Sequence, residues 1–153
     1  VQGWPAAASM PKNLKSAMDN PAVLDAYIAA EVGKGRIAGP FAEPPFSPFV
    51  VSPLGVVPKA GGGFRIIQHL PYPEEQGVNS CIPDELAATS YMRVADTVEA
   101  VVKRLGRGAF FAKVDALEAY RQVPCAPQDY PFLGFQWRRQ FFYDRVLVMG
   151  CRS

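Results

Sequence analysis

Ala112-Lys113-Val114-Asp115-Ala116-Leu117-Glu118-Ala119-Tyr120-Arg121-Gln122-Val123-Pro124 is the stretch whose reading decides the fold. The run ahead of it, Ala109-Phe110-Phe111-Ala112, is short, apolar and aromatic, which predicts a strand buried on both faces. Asp115 then falls at the strand end, where a carboxylate leaves the core and meets solvent, metal or substrate. Leu117 to Gln122 have helical character, and Pro124 stops the turn because proline has no N–H to donate. The expected product is an acid on a strand tip with an aromatic, Tyr120, five residues later on a short turn.

Working outward, Leu54-Gly55-Val56-Val57-Pro58-Lys59, Ala60-Gly61-Gly62-Gly63 and Phe64-Arg65-Ile66-Ile67 read as a β-hairpin with a glycine tip. The glycines lack the Gly-Lys-Ser/Thr that a phosphate loop requires before a helix. Lys59 and Arg65 bracket the tip, as a triphosphate clamp or as two solvated charges. A second hairpin is expected from Phe132–Trp137 and Phe141–Tyr143, with Arg138-Arg139-Gln140 between them.

Two helices are predicted. Asn20-Pro21 supplies a cap and a first-turn proline, Val23, Leu24, Tyr27, Ile28 and Val32 form an apolar stripe, and Gly33 and Gly35 close the helix. From Tyr91 to Leu105, the residues Val94, Val98, Val101, Val102 and Leu105 share a helical face that would pack under the Phe110-Phe111 strand, ending at Gly106 and Gly108. Nine of the fifteen prolines fall from Pro40 to Pro83, which points to extended structure there, with Phe41, Phe46 and Phe49 packed on a sheet. Residues 1–19 read as a loose lead-in.

Composition narrows the classes. A chain of 153 residues, 49% hydrophobic and 20% charged, suits one globular domain. No apolar run approaches the ~18 residues of a membrane span, and no signal peptide is visible. Cys81, Cys125 and Cys151 have neither zinc spacing nor a disulfide pattern, so thiols in a reducing compartment are expected. His69 is the single histidine, which leaves a histidine-based triad or metal cluster little support. Residues 1–100 carry 7 Lys/Arg against 10 Asp/Glu, and residues 101–153 carry 9 against 4. A basic half around an acidic candidate fits a polyanionic partner, and equally an ordinary solvated surface. The chain opens on Val1, so it is expected to be a piece of something longer.

Asp115, Ala119, Tyr120 and Pro124, in the pattern Asp-x-x-x-Ala-Tyr-x-x-x-Pro, resemble the first catalytic motif in the palm of reverse transcriptases. Val57-Pro58-Lys59, the glycine turn and Phe64-Arg65-Ile66-Ile67 resemble the fingers hairpin of that family. Leu70-Pro71-Tyr72-Pro73 and Gly77-Val78-Asn79 look more narrowly like retrotransposons that integrate through a tyrosine recombinase, the DIRS-like elements. Leu147-Val148-Met149-Gly150 is similar to the Leu-Pro-x-Gly turn beneath template and nucleotide, with Val148 in place of the proline and Met149 at the variable position.

The resemblance implies an α/β (α+β) fold, a partial right hand with β-hairpins and helices packed on a mixed or antiparallel palm sheet. It places a fingers-like region at 20–106 and the first part of the palm at 107–153. It also implies Asp115 as catalytic metal ligand with the backbone carbonyl of Ala116, Mg2+ or Mn2+ as the ions, and Lys59, Arg65, Tyr120, Met149 and Gly150 at the nucleotide. Tyr120 would be the steric gate against a ribose 2′-hydroxyl. The partners implied are an RNA/DNA template-primer and dNTPs, in the cytoplasm or nucleus. The partner carboxylates of that family come from a later Tyr-x-Asp-Asp hairpin, which this sequence does not contain. Two other readings stand beside this one: a non-catalytic nucleic-acid-binding remnant, and a structural α/β module in which Asp115 merely caps a helix.

Overall fold

The computed structural model describes residues 10–74, 77–83, 85 and 90–152. In chain order these form α1 (Lys15–Asp19), α2 (Pro21–Gly33), β1 (Ile37–Phe41), β2 (Leu54–Pro58), β3 (Phe64–Gln68), α3 (Val94–Leu105), β4 (Gly134–Trp137) and β5 (Gln140–Asp144). Three short 3-10 turns, Val78–Cys81, Ala119–Gln122 and Pro127–Phe132, complete the set. One sheet has the order β1-β5-β4 and the other pairs β2 with β3, and every pairing between these strands is antiparallel.

Both expected hairpins form. In the first, Val57 faces Arg65 and Pro58 faces Phe64, so the glycine tip projects beyond the last pair. In the second, Arg138 and Arg139 take positive φ values of 49° and 63° between Trp137 and Gln140. That is the left-handed two-residue turn whose twist matches the strands it joins. Arg138 is held there by Asp25, which accepts from its Nη2 at 2.5 Å and from the Trp137 indole at 2.8 Å. The indole hydrogen bond, and after it the guanidinium, hold the Asp25 carboxyl below its ordinary range.

The principal core lies where α1 and α2 cover the sheets. It joins Ala17, Leu24, Ile28, Ile37, Leu54, Val56, Phe135, Trp137 and Phe142. Phe135 stacks on Phe142 with centroids 5.3 Å apart. Burying a side chain of this size contributes about 1.5–3 kcal/mol, enough to make these rings the main fixture of the β4–β5 hairpin. A second cluster gathers Ala38, Phe49, Val51, Phe141 and Tyr143, with Phe41 and Phe46 packed against it. The phenylalanines of the proline-rich stretch are therefore seated on the sheet, as expected, while residues 42–48 run mostly as bends rather than as an extended segment.

Four expectations are corrected. Residues 10–19 are not loose: Leu14 N–H donates to Leu54 O at 2.9 Å, Ser16 Oγ accepts from Val56 N–H, and Ala17 is fully buried. The rest of that lead-in, 1–9, lies outside the described residues. Asn20 does not cap α2 with its side chain, because its amide donates to Ser16 O instead. Ala109–Ala112 is not a buried strand, for Phe110 and Phe111 are exposed. Nor does α3 pack beneath it, since no residue of that helix is buried.

The last two failures share a cause. A strand needs a neighbour to accept and donate its backbone hydrogen bonds, and no described strand runs beside 109–114. Without that sheet the apolar face of α3 has no floor.

Candidate nucleotide-binding cleft

An open cleft of about 560 Å³ lies between the β2–β3 hairpin, α2 and the turn that follows Asp115. Its volume falls within the ~300–1,000 Å³ usual for small-molecule sites. Lys59, Phe64, Arg65 and Ile66 line it from the hairpin, Val23, Tyr27 and Glu31 from α2, residues 115–121 from the turn, and Met149 from the far end. Of the residues singled out by sequence, Lys59, Arg65, Asp115, Ala116, Tyr120 and Met149 are thus brought together. Gly150 is not among the lining. It sits beside Gln68 with φ 119°, and a Cβ there would lie 2.4 Å from the Gln68 carbonyl oxygen, so only glycine fits.

Asp115 is exposed and on no strand, contrary to the expected strand tip. It also caps no helix. The residue preceding the Ala119–Gln122 turn is Glu118, and no side chain caps that turn. Of the three carboxylates on the cleft, Glu31 and Glu118 are held in ion pairs, and Asp115 has no ion pair among the described residues. Lys59 and Arg65 are likewise exposed and outside any ion pair among the described residues.

Beneath the turn lies a charge cluster that the sequence reading missed. Arg121, whose side chain is only 10% exposed, meets Glu31 of α2 and Asp144 of β5, which are 3% and 4% exposed. Its Nε donates to Glu31 Oε2 at 3.0 Å and its Nη1 to Asp144 Oδ1. The guanidinium also stands 5.9 Å from the Tyr27 ring centroid. Burial works to raise the Glu31 carboxyl, but hydrogen bonds from Lys34 and Arg121 outweigh it and hold the group below 4.5. Burial dominates at Asp144, pushing it up to about 7 against the pull of Arg121.

A signal for this cluster was present. Glu31 falls on the buried stripe of α2, with Leu24 and Ile28, and an acid there requires a buried cation. Which cation answers it depends on the fold, since Arg121 is 90 residues away.

The donor set for a divalent ion is incomplete. Asp115 and the Ala116 carbonyl offer two oxygens, and no cluster of three His, Cys, Asp or Glu among the described residues could hold a metal. These two groups fit one edge of a magnesium site whose remaining ligands are phosphate oxygens, water or further carboxylates.

No family model and no curated protein matches the sequence. Solved structures do. The prototype foamy virus protease-reverse transcriptase, in its CSH mutant form, matches 98% of this chain with TM-score 0.64 and 20% identity. The foamy viral protease-reverse transcriptase in complex with dsDNA matches 97% with TM-score 0.61 and 14% identity. This chain spans 18% and 28% of those two chains. At such identities the likeness concerns the fold, and on it this chain has a reverse-transcriptase-like fold of helices and antiparallel sheet.

Proposed function

We propose that this chain is the fingers and first part of the palm of a retroelement reverse transcriptase, with fingers at 20–106 and palm at 107–153. The observation that carries the reading is the single cleft gathering Lys59, Arg65, Asp115, Ala116, Tyr120 and Met149 from three separate parts of the sequence. In the whole protein the activity is template-directed transfer of dNTPs to a primer 3′-hydroxyl. Lys59 and Arg65, on a projecting hairpin, neutralise the triphosphate, and phosphoryl transfer depends on such positioning and charge stabilisation. Asp115 and the Ala116 carbonyl would hold Mg2+ or Mn2+, and the bound ions supply activation of the hydroxyl and a clamp on the triphosphate. Tyr120 excludes the ribose 2′-hydroxyl, Met149 borders the nucleotide, and Gly150, packed against Gln68 outside the cleft lining, shapes the turn behind it.

The DIRS-like affinity rests on Leu70–Pro73 and Gly77–Asn79, and an intracellular site of action, cytoplasm or nucleus, goes with it. No helix among the described residues is long and apolar enough to cross a membrane. None of the three cysteines is in a disulfide, and burial pushes the Cys125 thiol up to about 11, which keeps it unreactive. Val148, standing where the family has proline, is buried with Leu70, Val78 and Leu133. The departure from the motif is therefore packed rather than disruptive, which favours a working polymerase over a decayed remnant.

The test is Asp115→Asn in the full-length protein. The change removes charge from the metal edge while keeping shape, and primer extension is expected to fall by at least about a hundredfold, the order of effect seen when one group stabilising transition-state charge is lost. Near-wild-type extension would exclude Asp115 as a ligand.

A further inference from the structure

The turn that carries Tyr120 has little conventional support on its upstream side. Residues 109–118 belong to no helix or strand, and Ala119–Gln122 is a single 3-10 turn. Downstream the chain is fixed, since Leu147 N–H donates to Val123 O at 2.9 Å and Pro124 bridges to Val146. Upstream the fixation is ionic. Glu118 adopts a left-handed backbone, φ 52° and ψ 44°, which a non-glycine residue keeps only where its surroundings enforce it. Its carboxylate accepts from Arg36 Nη1 at 2.5 Å and lies 3.4 Å from Lys34 Nζ. Lys34 in turn pairs with Glu31 at 2.8 Å, and Glu31 with Arg121. Arg121 closes the chain of charges onto Asp144, at the end of β5, and reaches the Leu147 carbonyl at 3.5 Å.

We propose that Arg121 is a positioning residue. Through Glu31 and Asp144 it locks the Ala119–Gln122 turn to α2 and β5, and so sets the cleft wall formed by residues 115–120 at the height where a nucleoside triphosphate is received. The nucleotide part of this inference rests on the function proposed above. Arg121 is suited to the task by its rigid fork, which meets two carboxylates at once where a lysine would meet one. Both carboxylates are buried, so neither has water as an alternative partner, and the geometry is correspondingly fixed.

Two measurements test the proposal. Hydrogen exchange on the 153-residue chain is expected to show Arg121→Gln loosening the amides of residues 117–123 while Val56 and Ile66, in the β2–β3 hairpin, keep wild-type rates. Arg121→Lys, which retains the charge, is expected to restore part of that protection. In the full-length protein, Arg121→Gln is expected to raise the deoxynucleotide KM by about tenfold or more, since small misplacements carry costs of that order, with the template-primer Kd unchanged. Unaltered exchange at 117–123, or an equal rise in both regions, would overturn the positioning role. A localised exchange change beside a full-length protein that incorporates no nucleotide would overturn the polymerase reading and leave the lock standing. A localised change with an unaltered KM would overturn the link between lock and nucleotide.

Discussion

Tyr120 carries the sharpest consequence of the cleft at the scale of a single residue. Its ring is 38% exposed, on the cleft wall five residues after Asp115. A tyrosine serving only as core would be covered, as Phe135 is at 2%. The partly open ring suits a gate, which must face the space it restricts. Exclusion works because a packed aromatic leaves no volume for one more oxygen and its surroundings do not expand cheaply. On the proposed function, Tyr120→Val in the full-length protein is expected to raise the ratio of ribo- to deoxynucleotide incorporation at least about tenfold, since filling that space otherwise costs about 1–3 kcal/mol, and to retain deoxynucleotide addition. A fixed ratio in primer-extension assays would remove Tyr120 from the gate. The spacing Asp115 to Tyr120 made this residue legible in the sequence, whereas Arg121, one position on, was passed over because its partners are supplied by tertiary structure.

Among elements, the charge cluster joins α2, the Ala119–Gln122 turn and β5, and its acids titrate in opposite senses. Asp144, raised from 3.8 to about 7 by burial, contributes stability that is full below about 3.8 and is lost progressively as pH rises to about 7. Glu31 and Glu118 are lowered: burial opposes the fall at Glu31, and the Arg36 hydrogen bond leads it at Glu118. Their contribution is present above about 4.5 and lost on acidification. Melting temperature is therefore expected to peak at about pH 4.5 and to fall from there to about pH 7, with Asp144→Asn flattening that fall alone. An unchanged fall between about pH 4.5 and 7 in that variant, followed by circular dichroism, would assign the decline to another group. The elements themselves differ in how plainly the sequence announces them. The two hairpins were legible because strand alternation and turn residues act over a few positions, as Gly61–Gly63 and Arg138-Arg139 do. The span 109–114 was not, because whether an apolar run becomes a strand is decided by a distant neighbour's hydrogen bonds.

For the whole molecule, the distribution of carboxylates on the cleft sets what the chain does alone. Three acids line it, and two of them, Glu31 and Glu118, are spent on Lys34, Arg36 and Arg121. Asp115 is left as the sole acid on that cleft outside an ion pair among the described residues, and a single carboxylate does not hold two cations about 3.5–4 Å apart. The purified 153-residue chain is accordingly expected to add no nucleotide to a primer, with Mg2+ or Mn2+ alike. Nucleic-acid binding has a different requirement, for it draws on unpaired cations rather than on a metal site. Lys59 and Arg65 supply two on the cleft, and residues 101–153 are basic on balance. The same chain is expected to bind RNA–DNA duplex with an affinity that falls steeply with salt, each neutralised phosphate adding about 0.9 to the slope of log K against log salt. Template-dependent incorporation by the isolated chain would show that the cleft completes its metal site from groups other than Asp115. A salt-independent affinity would detach the basic surface from phosphate altogether.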